Sequence, residues 1–381
     1  MIIDDNIRVL VRAAETGGPD TDAVLRRLVL ALHTACERPD VKARTAVLHA
    51  AASPGLAAYP VDADGYAVAF DALTDEAAFI AAWQQYGMVV GKGILTPAAC
   101  AAVRDGIKAR FNALSRGACD LDRPETWANM PADDKGVPIL SRGFFEIYHD
   151  DLLAQIRQNV RAYVHHVLIW GRADLWSSFD RLGVKLPAHE ESKALSLHVD
   201  QNPNVHPHFK TVQGVLALCD CPVERGTFVG VPGSRDYFPA YAAMAQNRGE
   251  FVEMDVSAPI APLMKQHAQP IPLRAGDMVS WDSRTTHANS ENMSDQMRVV
   301  MYHAYGPARE DLPEAIEARR EALRTGIGSN MREALMHASK KSRYSDYDAL
   351  ARVRAPEKLN LLGKLVYGTE TYAKIIATPA P

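Results

Sequence analysis

The chain has 381 residues, of which 47% are hydrophobic and 23% charged, with a formal net charge of −4. That length can bury a large core, either as one β-rich domain with helical additions or as two domains. The slight acidic balance argues against a nucleic-acid binder, which would carry a basic excess on at least one face. Five cysteines, an odd number scattered from Cys36 to Cys221, argue against a disulfide framework and for a reducing compartment. The first residues, Met1-Ile2-Ile3-Asp4-Asp5, form neither a basic nor an apolar leader, and no run approaches the roughly 18 apolar residues of a membrane span. The expectation is a cytoplasmic protein with neither a membrane nor a nucleic acid as partner.

Residues 4–52 read as helices, with Leu25, Leu28, Val29 and Leu32 at helical spacing behind Asp20-Thr21-Asp22, a cluster suited to capping. Nothing there carries chemistry. Residues 1–65 are therefore expected to be a helical extension packed on the main domain or pairing two protomers. Residues 74–85 read as a further helix and 86–95 as a strand. Thr96-Pro97 then opens a helix whose buried face is Cys100, Val103, Ile107, Phe111 and Leu114. Residues 116–150 are polar and loop-like, long enough to act as a functional lid. Residues 151–182 have the apolar spacing of one helix, through Leu152, Ile156, Val160, Val164 and Leu168.

From Lys193 to Arg309 the pattern turns to short strands, over 193–200, 209–219, 226–231, 271–273, 277–282 and 297–305. Turn-forming stretches such as Asn202-Pro203-Asn204 and Val231-Pro232-Gly233-Ser234 separate them. Many short strands between such turns predict a sandwich or barrel, of which the jelly roll is a common two-sheet form. Helices are expected over 309–325 and 328–354, and a loose tail over 369–381.

The chemistry centres on Leu195-Ser196-Leu197-His198-Val199-Asp200 and on Thr286-His287-Ala288-Asn289-Ser290. His198 and Asp200, two apart at a strand end, point to the same side. With His287 they make two imidazoles and one carboxylate, the donor set of a facial triad that leaves positions on Fe(II) open. Arg298 follows on what reads as the next strand, where a guanidinium could clamp a carboxylate through two parallel hydrogen bonds.

A His-x-Asp pair alone is more often an accident than a ligand pair, and competing histidines exist. His206 and His208 flank a proline in a turn-rich stretch, which favours a loop over ligation. His303 is expected in the core or on the surface, and His165-His166 on a helix in packing and surface roles. Gln213 could face the barrel interior as a cofactor contact. Candidate substrate contacts are Gln201 and Asn202, directly behind Asp200, together with Trp281, Arg142 and Arg235. For Trp281 core packing is the stronger alternative, and for the two arginines surface solvation. The Cys219-Asp220-Cys221 pair has no second pair nearby and reads as ordinary thiols.

Further segments carry a family resemblance. Glu224-Arg225-Gly226 through Val231-Pro232-Gly233-Ser234-Arg235 resembles the Glu-x-Gly…Pro-Gly-Ser-His segment of the phytanoyl-CoA dioxygenase family. Gly276-Asp277, leading to His287, Ser290, Asn292, Ser294 and Arg298, resembles that family's Gly-Asp…His-x-x-Ser-x-x-Asn-x-Ser…Arg block. Tyr86-Gly87-Met88-Val89-Val90 resembles its opening strand, so the likeness spans residues 73–309. It implies a mainly β fold with flanking helices, built on a double-stranded β-helix (jelly-roll, cupin-like) core. The catalytic domain would be residues 66–310, with residues 311–381 a C-terminal helical segment and tail.

The resemblance further implies His198, Asp200 and His287 as ligands of Fe(II), Arg298 as the anchor for 2-oxoglutarate, and O2 as the oxidant. Related halogenases replace the carboxylate with Gly or Ala, so Asp200 favours hydroxylation. Desaturation, cyclisation and epimerisation would use the same metal site. Two departures stand out. Arg235 replaces the histidine of the Pro-Gly-Ser-His segment, and Val300 stands where many relatives carry a serine or threonine supporting the 2-oxoglutarate carboxylate. Rival readings are a non-catalytic binding protein on the same fold and a cupin-type isomerase or hydrolase. The loops at 116–150, 201–208 and 235–268 are polar and poor in long aliphatics, which points to a small polar substrate.

Overall fold

A computed structural model of the chain describes residues 1–50, 54–132, 138, 140, 143–187, 194–245, 251–326, 328, 356 and 358–378. Among these are thirteen strands: β1 (Met88–Gly91), β2 (Phe144–Phe145), β3 (Leu175–Ser177), β4 (Leu182–Lys185), β5 (Leu195–Val199), β6 (Val212–Ala217) and β7 (Phe228–Gly230). They continue with β8 (Val252–Glu253), β9 (Gln269–Ile271), β10 (Met278–Asp282), β11 (His287–Asn289), β12 (Arg298–Tyr302) and β13 (Tyr305–Pro307). One sheet has the order β1-β10-β6-β12-β4-β2, a second the order β8-β5-β11-β7-β9, and β13 pairs with β3. All of these pairings are antiparallel. This is the two-sheet, jelly-roll architecture that the strand pattern predicts.

Side-chain alternation decides what each face buries. Met88, Val90, Val215, Val279, Trp281 and Val300 of the larger sheet meet Phe228 and Ile271 of the smaller one in the inner core. The intervening residues Val89, Leu216, Met278, Val299 and Met301 point the other way, into a core shared with Phe79, Trp83, Ile107, Val164 and Leu168 of the helices. The larger sheet is thus covered on both faces. That explains why its strands read as near-continuous apolar runs.

The N-terminal helices form where expected, at Asp5–Thr16, Thr21–Cys36 and Pro39–His49. Their apolar residues join the outer core. Glu76 ties the chain start to the domain. Its carboxylate accepts the N–H groups of Ile2 and Ile3 at 2.7 and 2.8 Å and pairs with Arg44 at 2.7 Å. Arg284 and Arg235 add buried donors to the carbonyls of His49 and Leu48.

Three expectations need correction. The stretch 151–182 is not one helix but two, Asp151–Arg157 and Val160–Trp170, followed by β3 and β4. Asn159 restarts the helix by accepting the N–H groups of Arg161 and Ala162, and Gly171 ends it in the left-handed conformation. Apolar spacing alone does not separate short buried strands from helix, which is why the sequence misleads there. The tail is not loose either. Tyr372–Ala377 is helical, and the Tyr372 hydroxyl donates to the Leu175 carbonyl at 2.7 Å. Third, His165 and His166 have no surface role, since both are fully buried with His303 in the outer layer. The helix expected over 328–354 lies outside the described residues apart from 328.

His165 reaches the Ser280 hydroxyl at 2.9 Å and His166 donates from Nδ1 to the Ala162 carbonyl at 2.9 Å, whereas among the described residues neither ring nitrogen of His303 has a hydrogen-bond partner. Burial holds His166 down at about 4, and His165 and His303 well below the ordinary histidine value.

Two predictions follow from this packing. Glu76→Ala strands two buried N–H groups and Arg44, and should lower the unfolding free energy by about 3–5 kcal/mol in chemical denaturation. The buried histidines stay neutral in the fold but take up protons once unfolded, at an ordinary value of about 6.5. Their contribution is complete above that pH and is lost as pH falls toward 4. The melting temperature should therefore drop across this window, and His303→Leu should flatten the slope. An unchanged slope in that variant would refute the assignment.

Candidate metal centre

His198 on β5 and His287 on β11 are directly opposed in the antiparallel ladder. Opposed residues share a face, so the two imidazoles converge, with ring centroids 4.2 Å apart. Asp200 lies two residues past His198 on the same side, and its Oδ2 is 3.6 Å from His287 Nε2. One donor atom from each of His198, Asp200 and His287 lies within 4.8 Å of the others, and among the described residues this is the one such cluster of metal-ligating side chains.

The surrounding hydrogen bonds aim these donors. His198 Nδ1 donates to the Ser196 carbonyl at 2.7 Å, and His287 Nδ1 to the Thr285 carbonyl at 2.9 Å. A carbonyl can only accept, so each Nδ1 carries its proton and each Nε2 presents a lone pair to the cluster. Gln213 Nε2 donates to Asp200 Oδ2 at 2.6 Å, and Trp281 Nε1 in turn holds Gln213 Oε1 at 3.0 Å. These bonds orient the Asp200 carboxylate toward the cluster. Two imidazoles and a carboxylate, all mostly buried, fit a divalent iron ion.

The cluster lies on the wall of a cavity of about 190 Å³. Arg298 lines the same cavity and is 2% exposed, and its Nε and Nη1 have no hydrogen-bond partner among the described residues. Buried guanidinium donors without partners are costly. A carboxylate is the natural acceptor for such a guanidinium, so the site fits 2-oxoglutarate as well as iron. Lys185, opposite Arg298 in the β4–β12 ladder, donates to Asn289 Oδ1 and to the Ser290 carbonyl, both at 2.7 Å. Burial, and then the Arg298 charge, lower its ammonium to about 7.

The other expected residues divide. Trp281 is on the cavity wall, packed on Phe228 and beside His287. Gln213 also lines the cavity, with both ends of its amide engaged by Asp200 and Trp281. Gln201 is fully buried and off the wall. Its amide donates to the His206 and His208 carbonyls and accepts from Ser283, so it shapes the loop behind Asp200. Asn202 is likewise buried, with its side-chain oxygen accepting the Asn204 N–H at 2.9 Å. Arg235 is neither solvated nor in the cavity, because its Nη2 donates to the Gln84 carbonyl at 2.6 Å. Arg142 lies outside the described residues.

Sequence reasoning missed Phe144, Asp180, Arg181, Leu195 and Phe251 as cavity residues. Asp180 and Arg181 were hidden by reading 151–182 as helix. Phe251, whose ring centroid lies 4.6 Å from that of His198, stands in a loop with no motif to mark it.

Comparison with known proteins agrees with this geometry. The family model of phytanoyl-CoA dioxygenase (PhyH) matches residues 83–300, more than half of the chain. Ava biosynthesis cluster protein O of Aspergillus versicolor is 24% identical over 199 residues, which cover 48% of this chain and 64% of that protein's length. Among solved structures, the hypothetical protein JW0805 of Escherichia coli at high pH is 17% identical, with 95% of each chain covered and a TM-score of 0.55. The epimerase SnoN, in complex with Fe3+, alpha ketoglutarate and nogalamycin RO, is 19% identical over 71% of this chain and 97% of that one, with a TM-score of 0.44. No described helix is long and apolar enough to cross a membrane. With its matching family model, jelly-roll core and His-Asp-His cluster, the chain belongs to the phytanoyl-CoA dioxygenase family of non-haem iron, 2-oxoglutarate-dependent enzymes.

Proposed function

We propose that this chain is an Fe(II)- and 2-oxoglutarate-dependent hydroxylase acting on an unactivated carbon of a small polar molecule. The observation that carries the reading is one cavity lined by the His198–Asp200–His287 cluster and by Arg298 with unpartnered Nε and Nη1. His198 and His287 would bind iron through Nε2 and Asp200 through its carboxylate. Arg298 would hold the distal carboxylate of 2-oxoglutarate. Bound together, iron and 2-oxoglutarate use O2 to oxidise a substrate C–H bond, with release of succinate and CO2.

The remaining residues position and exclude. Phe228, Phe251 and Trp281 wall the cavity beside the cluster and keep it poor in water. Asp180, Arg181 and Asn289 supply the polar part of the lining, which supports a polar substrate. Asp200, as a carboxylate in the third ligand position, supports hydroxylation. Arg298 counts against a non-catalytic binding protein, because a cluster without 2-oxoglutarate would leave its donors without a role.

The test is anaerobic addition of Fe(II) with and without 2-oxoglutarate, watching for the weak visible charge-transfer band of the chelate. The band should appear in the native protein, vanish in His198→Ala and weaken in Arg298→Ala. No band from folded, iron-loaded protein would sink the proposal. Gln213→Leu should lower divalent-metal affinity by roughly 10- to 100-fold, since it frees the carboxylate that the amide orients. Equilibrium titration with Mn(II) reads this, and unchanged affinity would remove Gln213 from that role.

A further inference from the structure

The cavity-facing side of β12 carries Arg298, Val300 and Tyr302 at alternate positions. Across the ladder on β4, Lys185 stands opposite Arg298 and Gly183 opposite Val300, while the Tyr302 N–H donates to the Arg181 carbonyl at 3.1 Å. Gly183 therefore leaves a gap one step from Tyr302 in the direction of Arg298. The tyrosine ring fills it. A Cβ at Gly183 would lie 2.8 Å from Val300 Cγ2, 3.1 Å from Tyr302 Cε2 and 3.6 Å from Tyr302 Cζ. The ring therefore leans back along the strands toward Arg298, and both side chains line the cavity. Burial raises the phenol above its ordinary value, against the lowering effect of Arg298, so the oxygen keeps its proton at neutral pH.

A carboxylate docked against Arg298 would accept from the guanidinium and still have lone pairs to satisfy in a buried place. Val300, between the two polar residues, has only methyl groups to offer. We infer that the Tyr302 hydroxyl is the second donor to the distal carboxylate of 2-oxoglutarate, with Gly183 as the positioning residue that admits its ring. This rests on the 2-oxoglutarate reading above.

The experiment compares two 2-oxo acids, 2-oxoglutarate and 2-oxobutanoate, which lacks the distal carboxylate. Binding to Mn(II)-loaded protein without O2 is measured by calorimetry. Tyr302→Phe keeps the ring and its packing. It should weaken 2-oxoglutarate roughly tenfold, the scale of one hydrogen bond to a charged group, and leave 2-oxobutanoate unchanged. Gly183→Ala, which crowds the ring, should show the same selectivity. Equal weakening of both acids, or no change for 2-oxoglutarate in Tyr302→Phe, would overturn the assignment. Arg298→Ala serves as the reference for loss of distal-carboxylate contact. Native protein that binds neither acid would overturn the 2-oxoglutarate reading itself and this assignment with it.

Discussion

The register between β5 and β11 is the constraint on which the centre depends. It sets His198 opposite His287, and a slip of one residue would turn one imidazole to the far face of the sheet. The ladder then loses step, with Asn289 opposite Leu195, so the irregularity falls directly beside the histidine pair. Irregularities of this kind re-aim side chains at the rims of barrels and near functional sites. β7 closes the other edge of β11, with Gly230 opposite His287. His287 is thus held between two strands, while Asp200 lies just past the end of β5 and depends on Gln213 for its orientation.

Buried charge is treated in two ways in this fold. Arg235, Arg284, Arg157 and Arg319 are buried and spend most of their donors on backbone carbonyls, with Asp282 also accepting from Arg284 and the Tyr367 hydroxyl from Arg157. Each of these stitches one element to another. Arg298 is as deeply buried and lines the cavity, and two of its donors have no hydrogen-bond partner among the described residues. The same residue type serves packing in the first four cases and lines the cavity in the last. The difference lies in what stands across from the guanidinium.

The helical additions are not separate from the site. Arg284 lies in the turn between β10 and β11 and Arg235 a few residues past β7, and both reach the helix Pro39–His49. Glu76 then draws the first residues of the chain onto the same assembly. The strands that carry His287 are therefore backed by the N-terminal helices, and the centre is supported from a distance in sequence that no local motif reveals.

Much of the centre was legible in the sequence, because ligand spacing within a strand is local. His198 and Asp200 share a side by alternation, and Arg298, Val300 and Tyr302 share a face for the same reason. The jelly roll was legible too, from short apolar runs between turns. What the sequence could not express was pairing across strands. It did not place Arg181 and Gly183 beside Tyr302 and Val300, since residues 151–182 have an apolar spacing that suits helix and short buried strands alike. Nor did it separate Gln213, which holds Asp200, from Gln201, which holds a loop. Both are glutamines near a ligand, and only the tertiary structure brings the carboxylate to one amide and two backbone carbonyls to the other. The sequence by itself determined which side chains were available and on which face of each strand they stood. The tertiary structure alone decided which of them meet, because hydrogen-bond partners in a two-sheet fold are set by register between segments far apart in the chain.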